Sequence, residues 1–383
     1  MRQNIGALTG IRGFAALWVV LHHALPAYPF LSNHFIINNF LRKGWLGVDL
    51  FFILSGFVIS YVHQHEFKTL QFYRFKTFLL LRLSRIYPAH FATLLSLVPI
   101  VCMSQLLFNY HSSIDQFSLS KFFYSLFLLN GWGFNGSDGW NIPSWSVSSE
   151  WFAYLCFPFI AFLLCKLKSA KSYLVLIVLI YVILFSLAIV LNDAHKFMLS
   201  WHLTLIRVSS EFLTGCCLFN INCKSEPSST KDYMVLISIV SMGILCILSI
   251  ASIFDGVIII IFTFLIYGLS KAGPITTKLF ANRTMLYLGR ISYSIYLVHD
   301  IVLMTSNQII KKTIGQSGLT LQVLLFLSYI ALTIIFAHLL FNLIEEPIRT
   351  MAKRKLQNSK PEHNTLTISD SCDGLNPIDK TRL

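Results

Sequence analysis

A few arginines, histidines and carboxylates stand in a chain that otherwise has little place for charge. Arg12, His22 and His23 fall in one apolar stretch. Arg12 and His23 are eleven positions apart, which at about 100° per residue is close to three helical turns with an offset of only ~20°. They share one face about 16 Å apart along the axis, and His22 does not. One face therefore offers a cation at one end and an imidazole at the other. Asp49 and Ser55 follow in the run from Gly44 to Gly56. Asp49 is expected about one turn below the outer surface, at the depth of His23. A carboxylate that deep wants a cation or a proton donor, and His23 is the nearest candidate. Such a pair would fix the tautomer of the imidazole and raise its basicity.

Arg82 and Arg85 lie one turn apart beside Tyr87-Pro88. They can anchor a membrane protein at its basic face, or act as a bidentate anion clamp. Trp145 fits an aromatic belt, whereas Glu150 at the start of a span is less easily explained. Arg207 and Glu211, spaced i, i+4, read as a self-neutralising ion pair. Tyr293, His299 and Asp300 place a second His-acid pair in the outer half, read first as structural or pocket-lining. Glu345-Glu346-Pro347 closes the last span and is expected to meet basic loops.

The elements that must hold these residues follow from composition. Among 383 residues 55% are hydrophobic and only 12% are charged, about half the charge a soluble domain carries. A soluble enzyme of this length would need far more charge on its surface, so lipid is the expected solvent. The net charge of +13 would suggest nucleic acid in a soluble protein, but cytoplasmic loops of membrane proteins also collect Lys and Arg. The expected fold is all-α and polytopic, with ten transmembrane helices near 12–30, 45–63, 88–108, 150–165, 172–191, 201–219, 233–251, 254–270, 287–306 and 321–343. With the N-terminus placed in the cytoplasm, most of the 30 Lys and Arg fall on the inner side, so both termini are expected there. The first run lacks a cleavage site after a polar region and reads as a retained helix.

Residues 109–149 form the longest outer loop, rich in Asn, Gly, Ser and aromatics, which suits a cap over a site. Residues 350–383 are polar and read as a disordered cytoplasmic tail attracted to anionic lipid. The eight cysteines show no CxxC or metal-like spacing and read as small apolar fillers, with no metal and no disulfide framework implied.

Arginines at the inner face and His, Asp and Glu in the outer half suit a polyanionic donor from the cytoplasm and an acceptor met from outside. Coenzyme A fits that donor, its phosphates on arginines and its pantetheine arm carrying a thioester along the Arg12 to His23 face.

At these residues the chain closely resembles the acyltransferase-3 family of membrane O-acyltransferases. The resemblance rests on Leu8 to Ala16 with Arg12 and His23, Gly47 to Gly56, Arg82 to Pro88, Trp145 to Tyr154, Arg207 to Gly215, Leu288 to His299, and Glu346-Pro347, in the family's order over residues 5–349. It implies transfer of an acyl group, commonly acetyl from acetyl-CoA, across the bacterial cytoplasmic membrane to a hydroxyl of a surface or secreted glycan, or of a lipid-linked glycan intermediate. O-antigen, capsule and exopolysaccharide are the implied acceptor types. His23 matches the family's essential histidine, Arg12 its partner, and Arg82 and Arg85 the arginines thought to serve the donor. Some members carry a fused extracytoplasmic esterase-like domain. This chain is expected to lack it, so transfer would be completed by the membrane domain or by a separate esterase-like protein.

The resulting expectation assigns catalysis to His23, Asp49 and Glu150, with His23 as general base or as the site of a transient acyl-imidazole. Arg12, Arg82 and Arg85 would bind the donor. Glu150 and the 109–149 loop would shape the acceptor entrance, and His22, Ser55, Trp145, Tyr293 and His299 would line the pocket. The rival class is a transporter or exporter, for which ten helices with charges at depth would also suffice, although no pair of broken helices or inverted repeat is evident.

Overall fold

The computed structural model describes residues 6–108, 116–134, 139–190, 204–222, 229–248, 253–314 and 318–358, and these are helical with no strand among them. The helices in chain order are α1 (Gly6–Ala24), α2 (Phe35–Arg42), α3 (Gly47–His63), α4 (Phe72–Phe108), α5 (Leu119–Leu126), α6 (Ser144–Leu164) and α7 (Ala170–Val190). There follow α8 (Thr204–Asn222), α9 (Ser229–Leu248), α10 (Ile253–Leu269), α11 (Pro274–Phe280), α12 (Arg283–Ile314), α13 (Leu319–Leu340) and α14 (Glu346–Asn358). Each of the ten expected segments falls on one of these helices. Among the described residues six helices are long and apolar enough to cross a membrane, or seven if the bent pair α10–α11 counts as one span. α1, α8 and α12 are not among them, and they are the helices that carry Arg12 with His23, Arg207 with Glu211, and Arg290 with His299.

Two pairs of parallel helices form the centre. α1 packs along α12, and α3 along α8. Both crossings are built on glycine, which lets backbones approach closely in lipid, where apolar burial alone gives little drive to associate. A Cβ on Gly13 would run into Leu288 and Gly289, and one on Gly289 would overlap the carbonyl of Thr9. Likewise Gly56 lies against the carbonyl of Phe212, and Gly215 against that of Ile53. α3 runs antiparallel to α1, where Gly47 meets Ala15 and Gly44 meets Trp18.

Three expectations about boundaries need correction. The third span does not begin at residue 88: the basic stretch ahead of it forms the first turns of α4, which continues through Pro88 and Pro99, since prolines are tolerated in membrane helices where neighbours satisfy the freed carbonyls. α6 begins at Ser144, so Glu150 sits nearly two turns inside a helix, about 9 Å from its start. The polar tail does not start at residue 350. A five-residue π-helical turn, Phe341–Glu345, passes directly into α14, where Pro347 lacks the N–H that would bond back into that turn, and Glu346 pairs with Arg349 at 2.5 Å. The remainder of the expected tail, 359–383, lies outside the described residues.

α10 and α11 meet at a bend of 109°. Asp232 of α9 holds the corner, accepting backbone hydrogen bonds from Gly273, Ile275 and Thr276 at 3.0 to 3.2 Å and a further one from the Thr276 hydroxyl. A carboxylate from another helix thus caps the open N–H groups that start α11. α11 in turn braces α1, with Gly10 packed on the Phe280 carbonyl.

Candidate active site

α1 and α12 bring two histidines together. His299 Nδ1 lies 2.7 Å from the carbonyl oxygen of Tyr296, and His299 Nε2 lies 3.0 Å from His23 Nδ1. A carbonyl only accepts, so a neutral His299 donates from Nδ1 and accepts at Nε2. His23 therefore donates from Nδ1, which leaves its Nε2 lone pair unengaged in this relay. His299 is fully buried and His23 is half-buried. His23 faces an open bowl of about 480 Å³, which His22 also lines.

At the other end of the same α1 face, Arg12 Nε donates to Ser292 Oγ at 3.5 Å, and the guanidinium stands over the Phe51 ring at 6.0 Å. Arg12 lines an internal cavity of about 60 Å³ together with Phe51, Ser55, Glu150, Tyr293 and Tyr296. That is room for a few water molecules. Opposite Arg12, Glu150 Oε1 accepts from Ser55 Oγ at 2.8 Å and from the Tyr154 hydroxyl at 2.5 Å. Glu150 is thus a wall of the inner cavity and not part of the outer entrance.

Tyr296 links the inner cavity to the histidine pair. Its ring lines the cavity, its hydroxyl donates to the Pro143 carbonyl and accepts from Ser146, and its carbonyl orients His299.

Arg82 and Arg85 enter from α4, Arg82 within electrostatic range of Tyr154 and Glu150, while Arg12 senses Arg85, Glu150 and Glu345. They are not one fork. Arg82 donates to His63 Nε2 at 2.8 Å, and His63 in turn reaches Glu66 at 3.2 Å. Arg82 Nε is buried with no hydrogen-bond partner among the described residues. Arg85 is bound by the fully buried Glu345, which also accepts from Ser294 Oγ at 2.7 Å. The π-helical turn, a feature frequent at functional sites, is what carries Glu345 into this position. The expected meeting of the Glu345 segment with basic residues is therefore found, with α4 as its partner.

Asp49 is placed differently from expectation. It pairs with Arg207, 3.2 Å away, and Arg207 also reaches Glu211 at 3.8 Å. Two fully buried carboxyl groups share one guanidinium that lies between the rings of Trp45 and Trp145. The charge on Arg207 captures Asp49 because α8, not α1, carries the nearest cation. The local pairing of Arg207 with Glu211 exists, but Asp49 makes it a three-membered cluster. The partner that orients His23 is His299, which sequence reasoning had placed in the pocket without this role.

The entrance beside His23 is also built from other residues. The 109–149 loop, where described, is tied down onto α6 and α12. Asn130 donates to Ser144, the Gly131 amide to Ser148, and Asn141 to the Leu297 carbonyl, at 2.9 to 3.1 Å. The bowl is lined instead by the segment from Leu25 to Arg42. The signal was present: Ser32, Asn38 and Arg42 follow α1 directly. Among the described residues no cluster of His, Cys, Asp and Glu could hold a metal ion.

An all-helical bundle with a hydrogen-bonded histidine pair at one end of a polar face and arginines at the other defines a class of polytopic membrane protein. The chain belongs to the acyltransferase-3 family, whose model, described as an acyltransferase domain, matches residues 5–341. It is 26% identical over 376 residues to the peptidoglycan O-acetyltransferase OatA of Listeria monocytogenes, covering 91% of this chain and 56% of the relative. A Staphylococcus aureus (strain COL) protein provisionally named an O-acetyltransferase is 25% identical over 389 residues, covering 94% of this chain and 60% of the relative. A Bacillus subtilis protein, YrhL, provisionally named a peptidoglycan O-acetyltransferase, is 26% identical over 387 residues, covering 92% and 56%. The chain thus spans less than two thirds of the length of these relatives. No solved structure matches it.

Proposed function

We propose that the protein is a membrane O-acyltransferase that moves an acyl group, acetyl in the first instance, from acyl-CoA to a glycan hydroxyl. The observation that carries this reading is the His23–His299–Tyr296 relay, which supplies His23 with a lone pair at Nε2 beside an open bowl. In the reaction the acceptor oxygen attacks the thioester carbonyl, His23 Nε2 takes the hydroxyl proton, and the carbon–sulfur bond breaks. The proton then passes to the departing thiolate. The same nitrogen serves a two-step route through an acyl-imidazole. His299 holds the ring and shares the positive charge as it forms.

For the donor, Arg12 and Arg82 are the cations with capacity to spare, and Arg85 tunes the site through Glu345. Acetyl-CoA would place its phosphates at this arginine end and its thioester toward Tyr296 and His23. Ten crossings of a bacterial inner membrane with both termini in the cytoplasm would put the arginines on the donor side and the bowl outside. The parallel run of α1 with α12, and of α3 with α8, supports this count, since each pair then has matching parity. Peptidoglycan, the substrate named for OatA, is one acceptor in this reading. Lipid-linked or exported polysaccharides are others, with or without a separate extracytoplasmic esterase-like partner.

The test is purified protein with acetyl-labelled CoA and a glycan acceptor. Label should move to the glycan and stop moving in His23→Ala that still inserts in the membrane. Label transfer by His23→Ala would overturn the assignment. Label on the protein before acceptor is added would select the acyl-imidazole route.

A further inference from the structure

The bowl beside His23 has a charge of its own. Its lining includes His22, His23, Ser32, Asn38 and Arg42. No carboxylate lines it among the described residues. Arg42 is exposed and makes no ion pair among them, unlike Lys43 beside it, which is bound to Asp255 at 2.6 Å. Arg12 and Arg207, deeper in the fold, have Glu150 and Asp49 with Glu211 nearby.

The position of Arg42 is built rather than incidental. It is the last residue of α2, a helix end whose carbonyls point outward and repel anions. Two α1 side chains cancel that repulsion. Trp18 Nε1 donates to the Phe40 carbonyl at 3.0 Å, and His22 Nδ1 donates to the Leu41 carbonyl at 3.1 Å. Gly44, whose missing Cβ makes room for the Trp18 carbonyl and His22, draws the chain tight against α1. The backbone that carries Arg42 is thereby tied to the helix that carries His23. The rings of His22 and His23 stand 5.3 Å apart, and the volume of about 480 Å³ lies in the range of small-ligand sites.

We propose that this bowl recognises a negatively charged acceptor: Arg42 holds a phosphate or carboxylate on the sugar while the neighbouring hydroxyl faces His23 Nε2. The inference rests on the reading of His23 as the reacting base. It adds the charge of the acceptor, which that reading leaves open. A guanidinium suits either anion through paired N–H donors, and an exposed site of this kind weakens as salt rises.

Binding separates this proposal from the proposed reaction, because it needs no turnover. Full-length protein in detergent would be titrated calorimetrically with three probes: methyl glucoside, methyl glucuronide and glucose 1-phosphate. At least one anionic sugar should bind about tenfold more tightly than methyl glucoside at low salt, and the one that does identifies the group. Arg42→Gln should erase the difference, Arg42→Lys should keep part of it, and raising salt to 0.5 M should shrink it. His23→Ala should keep the discrimination even though it stops acyl transfer. Equal binding of all three sugars, no binding of any, or a preference that survives Arg42→Gln would overturn the proposal. Failure of label transfer with the anion preference intact would overturn the reaction alone.

Discussion

Arg85 of α4 and Glu345 of the π-helical turn form an ion pair across 260 residues of sequence, with the carboxylate fully buried. The second oxygen of Glu345 accepts from Ser294, so α4, α12 and the end of α13 converge on one carboxylate.

Removing that carboxylate leaves a guanidinium with its partner gone. Glu345→Ala should lower stability by about 3–5 kcal/mol, the usual cost of stranding one member of a buried pair. A double replacement, Arg85→Met with Glu345→Leu, should recover much of the loss. Thermal unfolding in detergent reads both, and equal Tm values for the single and double variants would contradict the pairing.

The relay predicts which replacements of His299 are tolerated. Glutamine can donate from its amide toward the Tyr296 carbonyl and accept from His23, whereas phenylalanine can do neither. His299→Phe should lower kcat by roughly 10²-fold or more with little change in KM, and His299→Gln should restore a measurable part. His23→Gln should lose about 10²- to 10⁴-fold. Equal rates for the two His299 variants would show that the ring only fills space.

Glycines at the α3–α8 crossing differ from one at the periphery. Gly56→Ala and Gly215→Ala each push a methyl into a facing carbonyl and should cost on the order of 1–3 kcal/mol through overpacking. Gly243 of α9 has nothing within 4 Å of where its Cβ would lie, so Gly243→Ala should leave Tm unchanged or slightly raised. Folded yield and Tm of the three variants side by side check the contrast.

Asp232→Ala should release the start of α11, because three backbone N–H groups lose their acceptor. A cost of about 1–2 kcal/mol is expected from the loss of such a cap. Asp232→Asn should keep part of it. Hydrogen exchange should rise first at residues 273–276, and a uniform rise across the chain would speak against a local cap.

Helices and the shared face of Arg12 and His23 could be read from the chain because both depend on local periodicity. Both residues do turn toward α12. Glu345 was expected to meet basic residues because a carboxylate at a span end needs a cation. The partner of Asp49 could not be read the same way. Depth alone made His23 plausible, but the pairing of α3 with α8 depends on Gly56 and Gly215 meeting carbonyls more than 150 positions away. His299 was missed as the partner of His23 for the same reason. The loop of 109–149 was assigned to the entrance on composition. Among the described residues, Asn130, Ser144 and Ser148 are spent on hydrogen bonds within the protein, while the shorter segment after α1 supplies the bowl.

Arg12 meets Ser292 across 280 residues, and His23 meets His299 across 276. α1 is made well before α12 and must therefore wait for it before Arg12 and His23 gain these partners. Until then α1 holds a guanidinium and two imidazoles in or near lipid, a state that is costly and that calls for shelter by the insertion machinery. In the proposed reaction, a half-made chain would have no oriented base and could not waste thioester while the remaining helices are being threaded into the bilayer.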